Sequence, residues 1–331
     1  MATARILGDA EPDIQQAADY LRSGQLIALP TETVYGLAGN ALDEAVVERI
    51  FTVKGRPLID PLIVHVSSLV QAKKLVKRFP DGAEHLIDAF WPGPLTLILP
   101  KVEAIARLVT AGRETVGLRM PSHPLTLRIL QAAGLPVAAP SANPFGYISP
   151  TCAQHVVDHL GERIPAVVDG GPCERGIEST ILDLSGDQPA ILRHGPISQE
   201  ALETVLSQKV LAETSGGEAQ SLRAPGRFKR HYSPRTPLTL IPTDQLPPQA
   251  SGKKAAWIAL SRQSAEAADA AYSRYWLSET GELEVVAREL FALLRQVDSI
   301  GLERIYLERA PKNGIGTALN DRMERAAAQE T

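Results

Sequence analysis

A hydroxyl, an amide or a guanidinium recurs in this chain wherever a short apolar run gives way to a loop. Thr31 and Thr33 follow Leu26–Leu29, and Lys54 and Arg56 close the next helical stretch. His65 sits near the end of Leu62–Val66, while Thr115 and Arg119 bracket another apolar run. Ser141 and Asn143 follow Ala139-Pro140, with Thr151 shortly after; Ser179 and Thr180 open a further strand and Arg193 closes the one after it. Open α/β sheets hold their ligands at such strand ends. The set offers donors and fixed positive charge, suited to carboxylate or phosphate, but no nucleophile with its own base. The usual nucleotide and hydrolase signatures are missing: there is no GxxxxGK[ST], strand-linked GxGxxG, GxSxG or HExxH, and Gly314-Ile315-Gly316 lacks the third glycine. His155 and His159 lie four apart on a predicted helix face, but without a third ligand they read as two histidines on a half-exposed helix.

Each segment also has a plainer structural reading. Lys54-Gly55-Arg56-Pro57 is what a helix C-cap with a basic last turn looks like. Phe90-Trp91-Pro92-Gly93-Pro94 reads as a helix stop with aromatic anchors, and Ser141-Ala142-Asn143 equally well as a side-chain-to-backbone turn. Arg223–Arg235, with five cations, no acid and two prolines, reads by default as a solvated basic linker. Glu32, Glu178 and His194 read as structural, because no paired acid or base is visible beside them.

The elements that must position these groups alternate. Helices are expected at Ile14–Leu21, after the Asp43 cap, and at Leu69–Phe79, Gly82–Phe90, Leu125–Ala133, Cys152–Leu160 and Ser198–Ser207. Strands are expected at Leu26–Leu29, Leu62–Val66, Leu95–Leu99, Val116–Arg119, Val137–Ala139, Ala166–Val168, Thr180–Leu184 and Ala190–Arg193. That alternation predicts an α/β fold on a mixed sheet. After about Ser207 the composition turns small, polar and then basic, and a second alternating region follows: strands at Leu238–Ile241, Ala255–Leu260, Tyr275–Leu277 and Ile305–Leu307, helices at Glu282–Val297 and Thr317–Ala327. A length of 331 residues accommodates two such domains. Thirty-four Lys and Arg against 38 Asp and Glu give a net charge of −4, so any polyanion site must be local. The two cysteines, Cys152 and Cys173, exclude a disulfide scaffold and a zinc tetrad. With no signal peptide and no apolar stretch near 20 residues, a cytoplasmic protein without a membrane span is expected.

Taken in order, the segments resemble the YrdC-type threonylcarbamoyl-AMP synthases. The resemblance is carried by Pro30-Thr31-Glu32-Thr33-Val34-Tyr35-Gly36-Leu37, Lys54-Gly55-Arg56-Pro57, Pro61-Leu62-Ile63-Val64-His65-Val66 and Trp91-Pro92-Gly93-Pro94-Leu95-Thr96. Val116-Gly117-Leu118-Arg119-Met120-Pro121, Pro140-Ser141-Ala142-Asn143 and Glu178-Ser179-Thr180 complete it. Arg230-His231-Tyr232-Ser233-Pro234 and Gly314–Ala327 are similar to the long, two-domain form. The resemblance implies a YrdC-like twisted mixed sheet with flanking helices in a catalytic domain over 1–207, a basic linker or lid over 208–236, and a smaller Rossmann-like α/β domain over 237–331.

It further implies synthesis of L-threonylcarbamoyl-AMP from L-threonine, bicarbonate or CO2, and ATP, with release of pyrophosphate. The product would pass to the tRNA threonylcarbamoyl-transferase machinery (TsaD-type), for modification of adenosine beside the anticodon. Carried over residue by residue, Thr33, His65, Arg119, Ser141 and Ser179 surround threonine or its carbamate, with Arg119 on the carboxylate. Lys54, Arg56, Asp60, Thr115, Asn143, Thr151, Arg193, His231 and Tyr232 fall on the ATP side, with Mg²⁺ on the phosphates and no protein-built metal site. Lys54 and Arg56 are the best candidates for direct charge stabilisation, and Arg227, Lys229, Arg230, His231 and Tyr232 for a lid that excludes water. Asp60 departs from the pattern, since many relatives have Asn there; it could reach Mg²⁺ or the ribose. Two other readings remain: an RNA-binding module of the same fold, with weak backbone binding, and carbamoyl transfer of the hydrogenase-maturation kind. Net negative charge and 5% aromatics stand against the first, two isolated cysteines against the second.

Overall fold

Alternation along the strands decides the layering. Ile27 and Leu29 join one buried cluster and Ala28 joins another; Ala166 and Val168 likewise part from Val167, and Val137 from Ala138. A period of two with both faces apolar means a sheet covered on both sides. Helices α1 (Glu11–Arg22) and α5 (Pro124–Ala133) cover one face, burying Ile14, Ala17, Ala18 and Leu21 with Leu125, Ile129 and Leu130. Helices α2 (Glu44–Lys54), α4 (Ala83–Phe90) and α6 (Ala153–Leu160) lie in the other cluster through Val46, Val47, Ile50, Leu86, Val156 and Leu160.

The computed structural model describes residues 3–212, 224–226, 228, 231–243, 245–248 and 254–328. The chain divides into two compact units, the first made of 1–145, 150–174 and 178–227 and the second of 146–149, 175–177 and 228–331. In the first, β1 (Arg5–Leu7), β2 (Ile27–Leu29), β3 (Gly36–Asn40), β4 (Ile63–His65), β5 (Leu95–Pro100), β6 (Thr115–Arg119), β7 (Val137–Ala138), β8 (Ala166–Val168), β9 (Thr180–Asp183), β10 (Ala190–Arg193) and β11 (Leu211–Ala212) form one mixed sheet. Its order is β1-β8-β2-β3-β7-β4-β6-β5-β9-β10-β11. Helices α3 (Leu69–Lys73) and α7 (Gln199–Leu206) complete the unit.

In the second unit, β12 (Leu238–Ile241), β13 (Ala255–Ser261), β14 (Ser273–Ser278) and β15 (Arg304–Glu308) pair in the order β12-β15-β13-β14, all parallel. Helices α8 (Arg262–Ala267), α9 (Leu283–Asp298) and α10 (Gly316–Ala327) connect or follow them. Helix α9 buries Val286, Ala287, Leu290, Phe291 and Leu294 along one face, which gives the α/β domain expected there its core. Among the described residues no helix is long and apolar enough to cross a membrane.

Strands β1 and β11 and helix α8 were not expected, and two further readings change. The helix expected over Leu69–Phe79 stops at Lys73, because Val76 bridges Lys101 and Lys77 donates its N–H to Pro100 O. Strand β3 was not expected, since Gly36-Leu37-Ala38-Gly39-Asn40 has little strand propensity. Packing requires those residues: a Cβ on Gly39 would stand 2.6 Å from Leu26 Cδ2 and 2.8 Å from Val46 Cγ1.

Candidate active site

Register brings the first two site residues together: β4 and β6 run parallel with His65 opposite Arg119. Arg119 is 3% exposed and its Nη2 donates to Glu32 Oε1 at 2.6 Å, while Nε donates to Gly93 O at 3.2 Å. Glu32 Oε2 accepts from Ser122 N at 3.1 Å. The acid read as unpaired is therefore the partner of the arginine expected to hold a carboxylate. Gly93 is fixed in turn by its N–H to Met120 O at 2.8 Å, and only glycine fits there: a Cβ would lie 2.4 Å from Phe90 O. Thr31 and Thr33 share a hydroxyl contact of 2.8 Å beside this pair in sequence, and the Thr31 hydroxyl also donates to Val34 O, holding the loop after β2. Burial first, and then the Arg119 charge, pull the His65 pKa down to about 3, so the imidazole is neutral. Its Nδ1 is buried without a hydrogen-bond partner.

The loop carrying Ser141 and Asn143 is pinned against the one after β2, with Gly36 bridging Ser141 and Ala142 N donating to Tyr35 O at 2.8 Å. Lys54 reaches the same loop from the end of α2. Its ammonium donates to Ser141 O and Asn143 O, both at 2.5 Å. Gly55, at φ 65°, caps α2, so both readings of this tetrapeptide hold: it ends the helix and aims a cation inward. Burial, with Arg56 adding to it, pushes the Lys54 pKa well below the usual lysine range. Arg56 donates to Pro61 O at 2.8 Å and pairs with Asp60 Oδ2 at 2.9 Å. Asp60 is 1% exposed, and burial raises its pKa against the opposing pull of Arg56, Lys54, Arg193 and Arg113.

Across the sheet, Arg193 wraps Ser179: Nε and Nη2 donate to its carbonyl at 3.1 and 3.0 Å, and Nη2 also reaches its hydroxyl at 3.1 Å. Nη1 donates to Pro225 O at 3.1 Å, and the Ser179 hydroxyl lies 2.8 Å from Thr96 Oγ1. Thr115 stands at the start of β6, four residues or about 13 Å from Arg119. It borders a hollow with Pro61, Ile63, Arg113, Gly117 and Pro225. Thr151 N donates to His155 Nδ1 at 3.2 Å, so that histidine serves the loop. Among the described residues no group of three or more His, Cys, Asp or Glu could hold a metal ion.

His231 and Tyr232 belong to the second unit. Their rings are 4.1 Å apart, and Tyr232, at φ 63° and 1% exposed, stacks on Phe291 at 5.4 Å. Arg227, Lys229 and Arg230 lie outside the described residues. Sequence reasoning missed Arg113 and undervalued Gly93 and Glu32. A cation two residues before Thr115 was the available signal for the first, and position inside the Pro30–Leu37 motif for the last.

Residues 19–195 match the Sua5/YciO/YrdC family model, described as telomere recombination, and residues 197–328 match one described as threonylcarbamoyl-AMP synthase, C-terminal domain. Over 326 residues the chain is 39% identical to the threonylcarbamoyl-AMP synthase of Pyrococcus abyssi, covering 95% of this chain and 94% of that protein. The chain belongs to the threonylcarbamoyl-AMP synthase family. The threonylcarbamoyl-AMP synthase of Bacillus subtilis is likewise 39% identical, over 97% of this chain and 94% of its own. A crystal structure of P. abyssi Sua5 complexed with L-threonine matches with a TM-score of 0.88 at 36% identity, over 98% of both chains. Family membership therefore extends through both units rather than stopping after the first.

Proposed function

We propose that this synthase-family member makes L-threonylcarbamoyl-AMP from L-threonine, bicarbonate or CO2, and ATP, releasing pyrophosphate. The product then serves threonylcarbamoyl modification of tRNA through a TsaD-type transferase. The observation that carries the reading is the likeness, along 98% of both chains, to a Sua5 crystallised with L-threonine. The threonine amine and CO2 form a carbamate with loss of a proton. A carbamate oxygen attacks the α-phosphorus of ATP, an O–P bond forms, and the bond to the pyrophosphate oxygen breaks.

The substrates supply both reacting atoms, so the protein's work is alignment and charge compensation. Holding the reactants in line removes about 7–11 kcal/mol of barrier, and one lost charge-stabilising donor costs about 3–4 kcal/mol. In this reading Arg119 takes the threonine carboxylate through Nη1, the nitrogen not committed to Gly93 or Glu32. Neutral His65, Thr33, Ser141 and Ser179 surround the rest of the amino acid. Arg56, Arg193, Asn143, Thr115 and Thr151 belong to the nucleotide, and Lys54 aligns the loop of Ser141 and Asn143 rather than touching phosphate. Asp60 serves as counter-charge to the cations. Its carboxylate, hemmed in by Arg56 and under the field of Lys54, Arg193 and Arg113, is a poor seat for a divalent ion. Mg²⁺ accordingly enters on the phosphates as part of the nucleotide substrate. Residues 1–207 form the catalytic domain, 208–236 a basic linker and 237–331 an auxiliary domain in this scheme.

The test is pyrophosphate release from ATP with threonine and bicarbonate omitted in turn. Release that requires both is expected; release that requires neither overturns the reading.

A further inference from the structure

We propose that Glu32 is the positioning residue that sets the Arg119 guanidinium for the substrate α-carboxylate, and thereby favours a free amino acid over its amide. The inference rests on Arg119 receiving that carboxylate, as argued above. Two acceptors on different segments, Glu32 Oε1 at 2.6 Å and Gly93 O at 3.2 Å, fix the plane and rotation of the guanidinium. The acid is itself fixed, since its second oxygen accepts from Ser122 N at 3.1 Å. Both side chains are almost wholly buried, at 4% and 3% exposure. An arginine so held gives up its rotational freedom on folding, and a ligand that binds it has no ordering cost to meet.

Stability alone is a weak reason for such a pair. Desolvation of two buried charges cancels most of their attraction, and apolar residues of similar volume serve a core as well or better. Charge compensation alone is also insufficient, because it predicts the wrong sign for binding. An anion beside Arg119 repels an incoming carboxylate, so if Glu32 acted only through its charge, removing that charge would tighten threonine binding. If it acts by holding the guanidinium in place, removal loosens binding. The sign of one measurement separates the two.

In Glu32→Gln the carbonyl oxygen can still accept from Arg119, but the amide nitrogen then faces the Ser122 N–H, donor against donor, and one anchor is lost. Isothermal titration of the full-length chain is expected to show L-threonine binding weakened roughly 3–10-fold, the cost of re-ordering one long side chain. Binding of ATP and of L-threoninamide, which lacks the carboxylate, should stay within twofold. Glu32→Asp keeps the charge and shortens the reach, so it too should weaken threonine binding; it also serves if the glutamine variant does not fold. Tighter or unchanged threonine binding in these variants overturns the inference, as does equal weakening for threonine and threoninamide. Failure of the wild-type chain to bind threonine at all is a different result, which removes the substrate assignment and this inference with it.

Discussion

Acidification should destabilise this protein through His65. The side chain is 5% exposed, in a strand paired with Arg119 on one side and Val137 on the other, and its pKa falls from 6.5 to about 3. Burial is the main cause and the Arg119 charge the next, against a small opposing contribution from the Ile63 backbone. A lowered pKa means that the folded state refuses a proton that the unfolded chain accepts. The contribution of His65 is therefore intact above pH 6.5 and is progressively lost as pH falls toward 3. Integrating between those two values gives a loss of about 2 kcal/mol on going from pH 7 to pH 5. Urea denaturation of the wild type and of His65→Gln at pH 7, 6 and 5 isolates the effect, since other titrating groups are common to both. The stability gap between them should narrow by about 2 kcal/mol across that range. A gap that stays constant, or a His65 ring resonance that titrates near 6.5 in the folded protein, refutes the reasoning.

Other substitutions test the remaining supports. Gly195→Ala places a Cβ 2.3 Å from Thr180 N and 2.6 Å from Ser179 C, so the backbone at Ser179 must move. Its kcat/KM for threonine, read by pyrophosphate release, should fall by about tenfold or more. Lys54→Met leaves the carbonyls of Ser141 and Asn143 without their ammonium donor and should cost about 3 kcal/mol in denaturant stability. Asp60→Asn removes an anion from among Arg56, Lys54, Arg193 and Arg113 and should tighten ATP binding several-fold by titration; weaker binding would count against the counter-charge role.

Where local pattern and burial agree, the sequence is a sufficient guide. Strands Ala166–Val168 and Ala190–Arg193 and the Asp43 cap of α2 lie where alternation and capping rules put them. Two of the misses share a different cause, because each depends on a partner distant in the chain. Strand β3 exists through its pairing with β2 and β7, and the helix from Leu69 ends early because Lys101 and Pro100 claim the following residues. The site follows the same division. Cations and hydroxyls at strand ends are visible one by one, but the Glu32–Arg119 pair joins residues 87 apart and the hold of Lys54 on Asn143 joins residues 89 apart. No local window contains both ends of either contact.

Those distant partners also explain how a chain of net charge −4 can present a site for anions. Each of the basic side chains is anchored, yet mostly by backbone carbonyls: Lys54 on Ser141 and Asn143, Arg56 on Asp60 and Pro61, Arg119 on Gly93, and Arg193 on Ser179 and Pro225. Carboxylates take part at Glu32, paired with Arg119, and at Asp60, paired with Arg56. A carbonyl holds a cation without cancelling its charge, whereas an acid does both. Anchoring chiefly through carbonyls keeps the guanidinium and ammonium groups rigid and the pocket positive, in surroundings where little water screens the field. For the reaction proposed above, with nucleophile and electrophile both drawn from anionic substrates, rigidity and positive charge are what the protein has to supply.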